Sequence, residues 1–494
     1  MDHPETSGVT TETAMPVSDK TAPARNADST NEDVAFAPIH ELAERIRTGA
    51  LRPSTLLDLY LERIRQHDRK LHAFVTVYEA EARIAAELAD RAVQAGQRLG
   101  PLHGIPVALK DLLDIEGRVT TSGSLFWRER VSPVTATVVR RLTAAGMIPL
   151  GKTHMVEFAF GSWGTNAAMG TPWNPWDLRT PRAPGGSSSG SAVAVAAGLA
   201  PAAIGSDTGG SVRIPAGLCG LVGLKTTVGR VSNYGVLMLS DTLDTLGPMV
   251  RDVEDAALLF AAMHGPDTDD PATLPHPPVD VLSSLKGGVA GLRLAVLPEA
   301  DLGEVDPEVA KSFAAALETF RAQGARIDVL PLPVPYTALA DVAGKIIAAE
   351  GYELHRGWID RDDLPFDPDV RDRFRSARDM ATADYIHLMS ERRRTRRAVD
   401  RLLRDFDGLL LPTTPLPAVP LSEIDQKKAP MSRLTRPVNV LDLCGLALPC
   451  GFSRGGLPIS LQIVGRGYDE AKILRVGWAF ENATDWHRRR PAMP

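Results

Sequence analysis

"PGGSSSGSAVAVAAGLAPAAIGSDTGGSVR", Pro184 to Arg213, divides into four pieces with different backbone demands. A glycine and serine loop opens it, an alanine-rich helix is expected over Ser191–Gly198, and a short apolar strand, "PAAIGSD", follows. A second glycine loop, "GSDTGGSVR" (Gly205–Arg213), closes it. Those last nine residues hold three glycines, a carboxylate and three hydroxyl side chains, a composition that suits neither a helix nor a strand. Such a loop at the end of a buried strand presents backbone N–H groups rather than side chains.

Elements alternate outward from this stretch. Ile39, Leu42 and Ile46, then Leu56, Leu57, Tyr60, Leu61 and Ile64, recur at helical spacing, with Arg52-Pro53-Ser54 supplying a break and a cap. A third helix is expected over Tyr78–Gln94. "GIPVALK", Gly104–Lys110, reads as a buried strand that ends on a lysine, followed by a helix near Ala136–Ala145 and a strand over Met147–Lys152. "PDTDDPATLPHPPVD", Pro266–Asp280, is a proline and aspartate surface linker extending to residue 292. Beyond it "GLRLAVLPE", a helix over Pro307–Gln323 and "ARIDVLPLP" form a further β-α-β excursion before the chain returns through "DGLLLPTTPLPA". This alternation predicts an α/β fold: one large domain over residues 34–494, with a central mixed β-sheet flanked by helices on both faces.

A chain of 494 residues, 44% hydrophobic, can bury a large core without disulfides. Its three cysteines, Cys219, Cys444 and Cys450, point to a reducing compartment. The net charge of −6 gives no general attraction to nucleic acid or anionic lipid, so the expected partner is a small molecule, with neither nucleic acid nor membrane. The first 33 residues, with almost no large apolar side chains, are expected to be a disordered tail. No run of about 18 apolar residues occurs and the start does not resemble a signal peptide, so a cytoplasmic location is expected.

Several short motifs fail in context. Gly186-Ser187-Ser188-Ser189-Gly190 matches G-x-S-x-G, but Ser188 follows a loop rather than a strand tip. Asp207-Thr208-Gly209 spells an aspartic-protease tripeptide without a second copy to share the proton. Cys219 sits among apolar residues that favour an inert, buried thiol. No lysine follows the Gly185 loop as a phosphate loop requires, and the histidines lack metal-binding spacing, so no cofactor and no metal are expected. A serine can also be activated by lysine if the lysine is neutral. Free lysine is only about 0.04% neutral at pH 7, so burial would have to lower its pKa by roughly 3 units, about 4 kcal/mol. Lys110, at the end of an apolar strand, is placed for that. It could equally pair with Asp111 at the surface.

"GIPVALKD", "GKTHMVEFAFG", "GTPWNPWD", the stretch from Pro184 to Ser232 and "LPCGFSRGGLPISLQIVG" together resemble the amidase signature family of serine hydrolases, from about residue 36 to the C-terminus. The resemblance implies a single amidase-signature domain with Lys110 as base, Ser187 as bridging serine after a cis Gly186–Ser187 bond, and Ser211 as nucleophile. It implies an oxyanion hole from the backbone N–H groups of Thr208, Gly209, Gly210 and Ser211, with hydrolysis of carboxamides to carboxylate and ammonia or amine. Ser189, where glycine is more usual, and Thr226, where proline is, depart from the family wording. The proline-rich segment at Pro266 and the expected N-terminal tail favour a stand-alone amidase with a small amide as its partner, either alone or as a homodimer. The alternative is an A-type glutaminase subunit of a glutamyl-tRNA(Gln) amidotransferase, working with partner chains. Phe126, Trp127, Phe160 and Trp163, close in sequence to the catalytic stretches, are candidates for an apolar substrate pocket. The arginine-rich "ERRRTRRAVDRLLRDFD", Glu391–Asp407, reads as a solvated amphipathic helix rather than an RNA contact.

Overall fold

The computed structural model describes residues 31–97, 99–428 and 430–493. A single mixed sheet of 11 strands organises them. In chain order the strands are β1 (Phe74–Val77), β2 (Pro106–Lys110), β3 (Ile148–Thr153), β4 (Ala203–Asp207), β5 (Val222–Lys225), β6 (Thr245–Val250), β7 (Arg293–Val296), β8 (Arg326–Val329), β9 (Gly408–Pro412), β10 (Cys444–Phe452) and β11 (Pro458–Gly465). Their spatial order is β1-β3-β2-β4-β6-β5-β10-β11-β9-β7-β8. β3, β2 and β4 run parallel, as do β9, β7 and β8, while the strands from β4 through β6, β5, β10 and β11 to β9 pair antiparallel.

The expected strands and helices before Pro266 are present to within a few residues, the helices at Ile39–Arg47, Pro53–Leu71, Glu79–Gln94, Thr137–Ala144 and Ser189–Ala196. In the last of these every residue is buried, which is why its sequence lacks a polar face. Its Gly190 is required by close approach: a Cβ there would lie 2.3 Å from the Ala73 carbonyl oxygen and 2.5 Å from the His154 nitrogen. The contact presses the helix against the end of β3.

Of the expected tail, residues 1–30 lie outside the described residues. Asn31–Asp33 do not belong with it, because they open a helix, Asn31–Ala35, whose Val34 and Ala35 are buried. Tyr60 Oη donates to the Ala35 carbonyl (3.1 Å), tying this turn to the Pro53–Leu71 helix. The segment from Pro266 to Asp280 is mostly exposed, whereas Val281, Leu285 and Val289 reach the core. The arginine-rich run belongs to a longer helix, Thr382–Leu403, held to its neighbours by Arg392 Nε donating to Val440 O (2.9 Å), Arg396 paired with Asp442 (2.7 Å) and Arg466 with Asp400 (3.0 Å). Among the described residues no helix is long and apolar enough to cross a membrane.

Candidate active site

β2 and β4 are parallel neighbours, with Ala108 opposite Ala203 and Leu109 opposite Ile204. Their carboxyl ends therefore emerge together, the usual position of a site on a parallel sheet. Lys110 ends β2 and is fully buried. Its Nζ donates to Ser187 Oγ (2.7 Å) and Ser206 Oγ (2.8 Å). Ser187 lies in the loop before the buried helix, and the Gly186–Ser187 peptide bond is cis. The surface pairing of Lys110 with Asp111 does not occur, because Asp111 is itself buried, bonded to Thr121 and 3.5 Å from Lys152 Nζ.

Three lysines are buried on this sheet, and their partners separate them. Lys152 donates to Leu113 O (2.6 Å) and Thr120 Oγ1 (2.8 Å); Lys225 donates to Thr226 O (2.7 Å) and Leu443 O (2.8 Å). Lys110 alone has only serine hydroxyls, which can give a proton as well as accept one. Burial lowers its pKa to about 7, with Asp244 and Asp207 pulling it back upward. Near neutrality about half of such lysines are free bases.

β4 runs into the second glycine loop. Asp207, at its end, is fully buried and its carboxylate gathers the loop backbone, accepting from Gly210 N–H (2.8 Å), Val212 N–H (3.2 Å) and Arg213 N–H (3.4 Å). This corrects one expected oxyanion donor, since the Gly210 N–H is already given to Asp207. The N–H groups of Thr208, Gly209 and Ser211 have no acceptor among the described residues. Gly210 has another duty. Its φ is 123° and a Cβ there would lie 2.2 Å from Thr435 Oγ1, whose hydroxyl donates to Gly209 O (2.8 Å). Gly210→Ala is expected to displace the loop and lower the amide hydrolysis rate by about 10²- to 10³-fold, the size of one lost oxyanion donor. Steady-state rates at parent-like expression would check this; a loss below tenfold would argue against a fixed loop.

Beside Ser211 lies a narrow cavity of about 30 Å³, bounded by Phe160, Gly161, Ser162, Thr208, Gly209 and Arg436 among others. Phe158 (φ 49°) and Ala159 (φ 60°), both left-handed, turn the chain so that Phe160–Ser162 face it. Of the four expected pocket aromatics, only Phe160 lines it. Phe126 and Trp127 are spent on packing, Phe126 against Phe366 (centroids 5.2 Å apart) and Trp127 edge-on to Phe158 (5.1 Å). Trp163 is buried in a separate cluster with Ile214, Leu218 and Met431, its Nε1 donating to Lys428 O (3.0 Å). Ser206, Asp244, Thr435 and Arg436 were not singled out in the sequence, although Ser206 lies within the opening motif. Asp244 accepts from Thr208 Oγ1 (2.5 Å) and Leu239 N–H (2.7 Å), and burial raises its pKa to about 6.

The rejected motifs have structural roles. Ser188 is buried, with its Oγ exchanging 3.3 Å contacts with the Ser206 backbone, and burial pushes the Cys219 thiol up. Among the described residues His40, Asp252 and Asp255 bring potential ligand atoms within 4.8 Å of one another. Their oxygens also serve as helix caps: Asp255 accepts from Ile39 and His40 N–H (2.7 and 3.1 Å) and Asp252 from Asp255 N–H (2.8 Å).

Residues 55–474 match the family model Amidase. The chain belongs to the amidase signature family. It is an enzyme acting on amides, and its single mixed sheet is the α/β fold of that family. This amidase is 37% identical to the A-type subunit of the glutamyl-tRNA(Gln) amidotransferase of Roseiflexus sp. (strain RS-1) over 481 residues, covering 92% of this chain and 98% of that protein. A solved chain from "an unexpected vestigial protein complex" that "reveals the evolutionary origins of an s-triazine catabolic enzyme" superposes with TM-score 0.86 at 34% identity, over 90% of this chain and 98% of that one. Native peptide amidase from Stenotrophomonas maltophilia gives TM-score 0.81 at 32% identity, over 92% and 98%.

The expectation of no nucleic-acid partner and of no assembly beyond a homodimer is overturned by these comparisons. One relative is by name part of a tRNA-dependent amidotransferase and one structural neighbour comes from a protein complex. Net charge, which argues against nucleic acid, describes the whole surface and not any one interface, and a proline-rich segment and a polar tail are equally compatible with a subunit of an assembly.

Proposed function

We propose that this amidase hydrolyses a carboxamide through an acyl-enzyme on Ser211, in the manner of an A-type glutaminase subunit of a glutamyl-tRNA(Gln) amidotransferase, and that it works as one chain of a larger assembly. The observation that carries the chemistry is the buried contact of Lys110 Nζ with Ser187 Oγ at 2.7 Å. The full-length likeness to the Roseiflexus relative supports the assembly.

In this reading the Ser211 Oγ proton passes to Ser187 Oγ as the Ser187 proton passes to neutral Lys110 Nζ. Ser211 Oγ bonds the carbonyl carbon, and the oxygen takes up negative charge facing the N–H groups of Thr208, Gly209 and Ser211. The C–N bond breaks while the relay returns the proton to nitrogen, releasing ammonia or an amine. Water then attacks the ester by the same relay, and the carboxylate leaves.

The test is labelling of the full chain with a serine-directed fluorophosphonate, read by intact mass. One adduct on the parent and none on Ser211→Ala is the expected result; an unlabelled parent overturns the reading. Glutamine hydrolysis that rises when a co-purifying chain is added back is expected of a member of such an assembly. Equal turnover without it favours a stand-alone enzyme.

A pH profile follows from the Lys110 environment. The base must be unprotonated, and its pKa is lowered to about 7, so kcat/KM is expected to rise through pH 7 and level off above it. Initial rates from pH 5 to 9 would check the sign; a limb that falls through pH 7 contradicts Lys110 as base.

A further inference from the structure

The cavity beside Ser211 contains two polar groups that the proton relay does not use. Ser162 Oγ is buried without a hydrogen-bond partner, and Arg436 makes no hydrogen bond or ion pair among the described residues. The Arg436 stem lies across the loop that leads into Ser211: a Cβ on Gly209 would sit 3.0 Å from its Cγ and 3.6 Å from its Nε. Its far end rests on the helix Ala338–Ile359, where a Cβ on Gly344 would be 3.2 Å from Nη1.

The charges around Arg436 leave its donors free. Arg373, a cation whose charge acts on it, donates to Phe160 O and to Gln426 Oε1 (3.0 Å). Asp341, on the same helix as Gly344, attracts Arg436 without forming an ion pair. Burial, with Arg373 adding to it, lowers the Arg436 pKa to about 10, against Asp341, so the group stays charged at neutral pH. Elsewhere in the core, Arg213 is paired with Asp207, and Lys152 and Lys225 are bonded to backbone oxygens. The Arg436 guanidinium is partly open to solvent and has no acceptor among the described residues, and a planar carboxylate matches its fork.

We propose that Arg436, with Ser162, forms an anion subsite beside Ser211 and that the substrate is a compact amide carrying a carboxylate. This rests on Ser211 being the nucleophile of the preceding section.

The test is protection of Ser211 from fluorophosphonate in the full chain, comparing succinamate with butyramide, an uncharged amide of similar length. In the parent, half-protection is expected at a roughly 100-fold lower concentration of succinamate, the worth of hydrogen bonds to a charged group. In Arg436→Gln the two amides should differ by less than about threefold, and Arg436→Lys, a point charge without the fork, should keep an intermediate gap. A labelled parent that is protected equally by both amides overturns the subsite while leaving Ser211 as nucleophile. So does a gap that persists in Arg436→Gln. A parent that takes no label fails at Ser211 itself, and the subsite falls with it. Should Arg436→Gln not fold, the parent's gap and that of Arg436→Lys decide.

Discussion

Lys110→Met is expected to lower kcat for amide hydrolysis by at least about 10⁴-fold, with Ser211→Ala falling as far and the double variant little further, because residues that act as one proton-transfer unit are grossly non-additive. Methionine is chosen because it fills the space of a fully buried side chain without its charge. Holding an ammonium where its pKa is about 7 costs on the order of 4–5 kcal/mol at low pH. The two lost hydrogen bonds, donated by Lys110 to Ser187 and Ser206, cost about 1 kcal/mol each. The linkage follows from the sign of the shift: the folded-state pKa lies below the unfolded one, so the destabilisation is full below pH 7 and fades toward pH 10. At pH 6 the urea midpoint of Lys110→Met should therefore be no lower than the parent's. Loss of activity with retained stability separates a chemical role from a structural one. Activity above one per cent of the parent's would remove Lys110 from the relay.

Lys110, Ser187 and Ser211 are legible in the sequence because each stands in a motif that the family resemblance covers, although Lys110 and Ser187 meet only in the fold, 77 residues apart. β2 and β4 are short apolar runs bounded by breakers; Lys110 ends β2, Ser211 lies in the glycine loop after β4, and Ser187 lies in the glycine and serine loop before the buried helix. The groups that support them come from remote parts of the chain, as Thr435 does against Gly209 and Asn439 against Asp207, contacts that no local pattern encodes. The pocket aromatics show the converse error. Phe126 and Trp127 are close to the site in sequence, but their partners Phe366 and Trp358 arrive from segments whose placement depends on the whole fold.

The helix Ala338–Ile359 was not assigned from the sequence for a related reason. Gly344, Gly351 and Gly357 interrupt it and are ordinarily read as breaks. Two of them are explained by tertiary contacts. Gly344 admits the Arg436 guanidinium, and a Cβ on Gly351 would lie 2.5 Å from Phe374 Cε1. Gly344 and Gly351 cost helix propensity locally and are kept by these close tertiary contacts, whereas Gly357 meets nothing within 4 Å.

Asp207→Ala is expected to destabilise the protein by about 3–5 kcal/mol, because it leaves Arg213 charged and fully buried without its partner. Burial alone would raise the Asp207 pKa, but Arg213 beside it holds the carboxyl well below the usual carboxylate range. The depressed folded-state value makes its stabilisation present above an ordinary carboxylate pKa and lost only as acid reaches the folded one. Arg213 Nε and Nη2 both donate to Asp207 at 3.0 Å, and the remaining donors reach Gln462 Oε1 (2.9 Å), Asn439 Oδ1 (2.7 Å) and Thr435 O (3.1 Å). Asp207→Ala also frees the loop N–H groups, so fluorophosphonate labelling of Ser211 should fall sharply in whatever fraction stays folded. Arg213→Met should be comparably destabilising, since it strands the carboxylate. In the double variant neither charge remains, and its loss in urea denaturation should be smaller than the sum of the two single losses by about 1–3 kcal/mol. Strict additivity would mean that the two groups act independently, and that Asp207 shapes the loop through its backbone bonds alone.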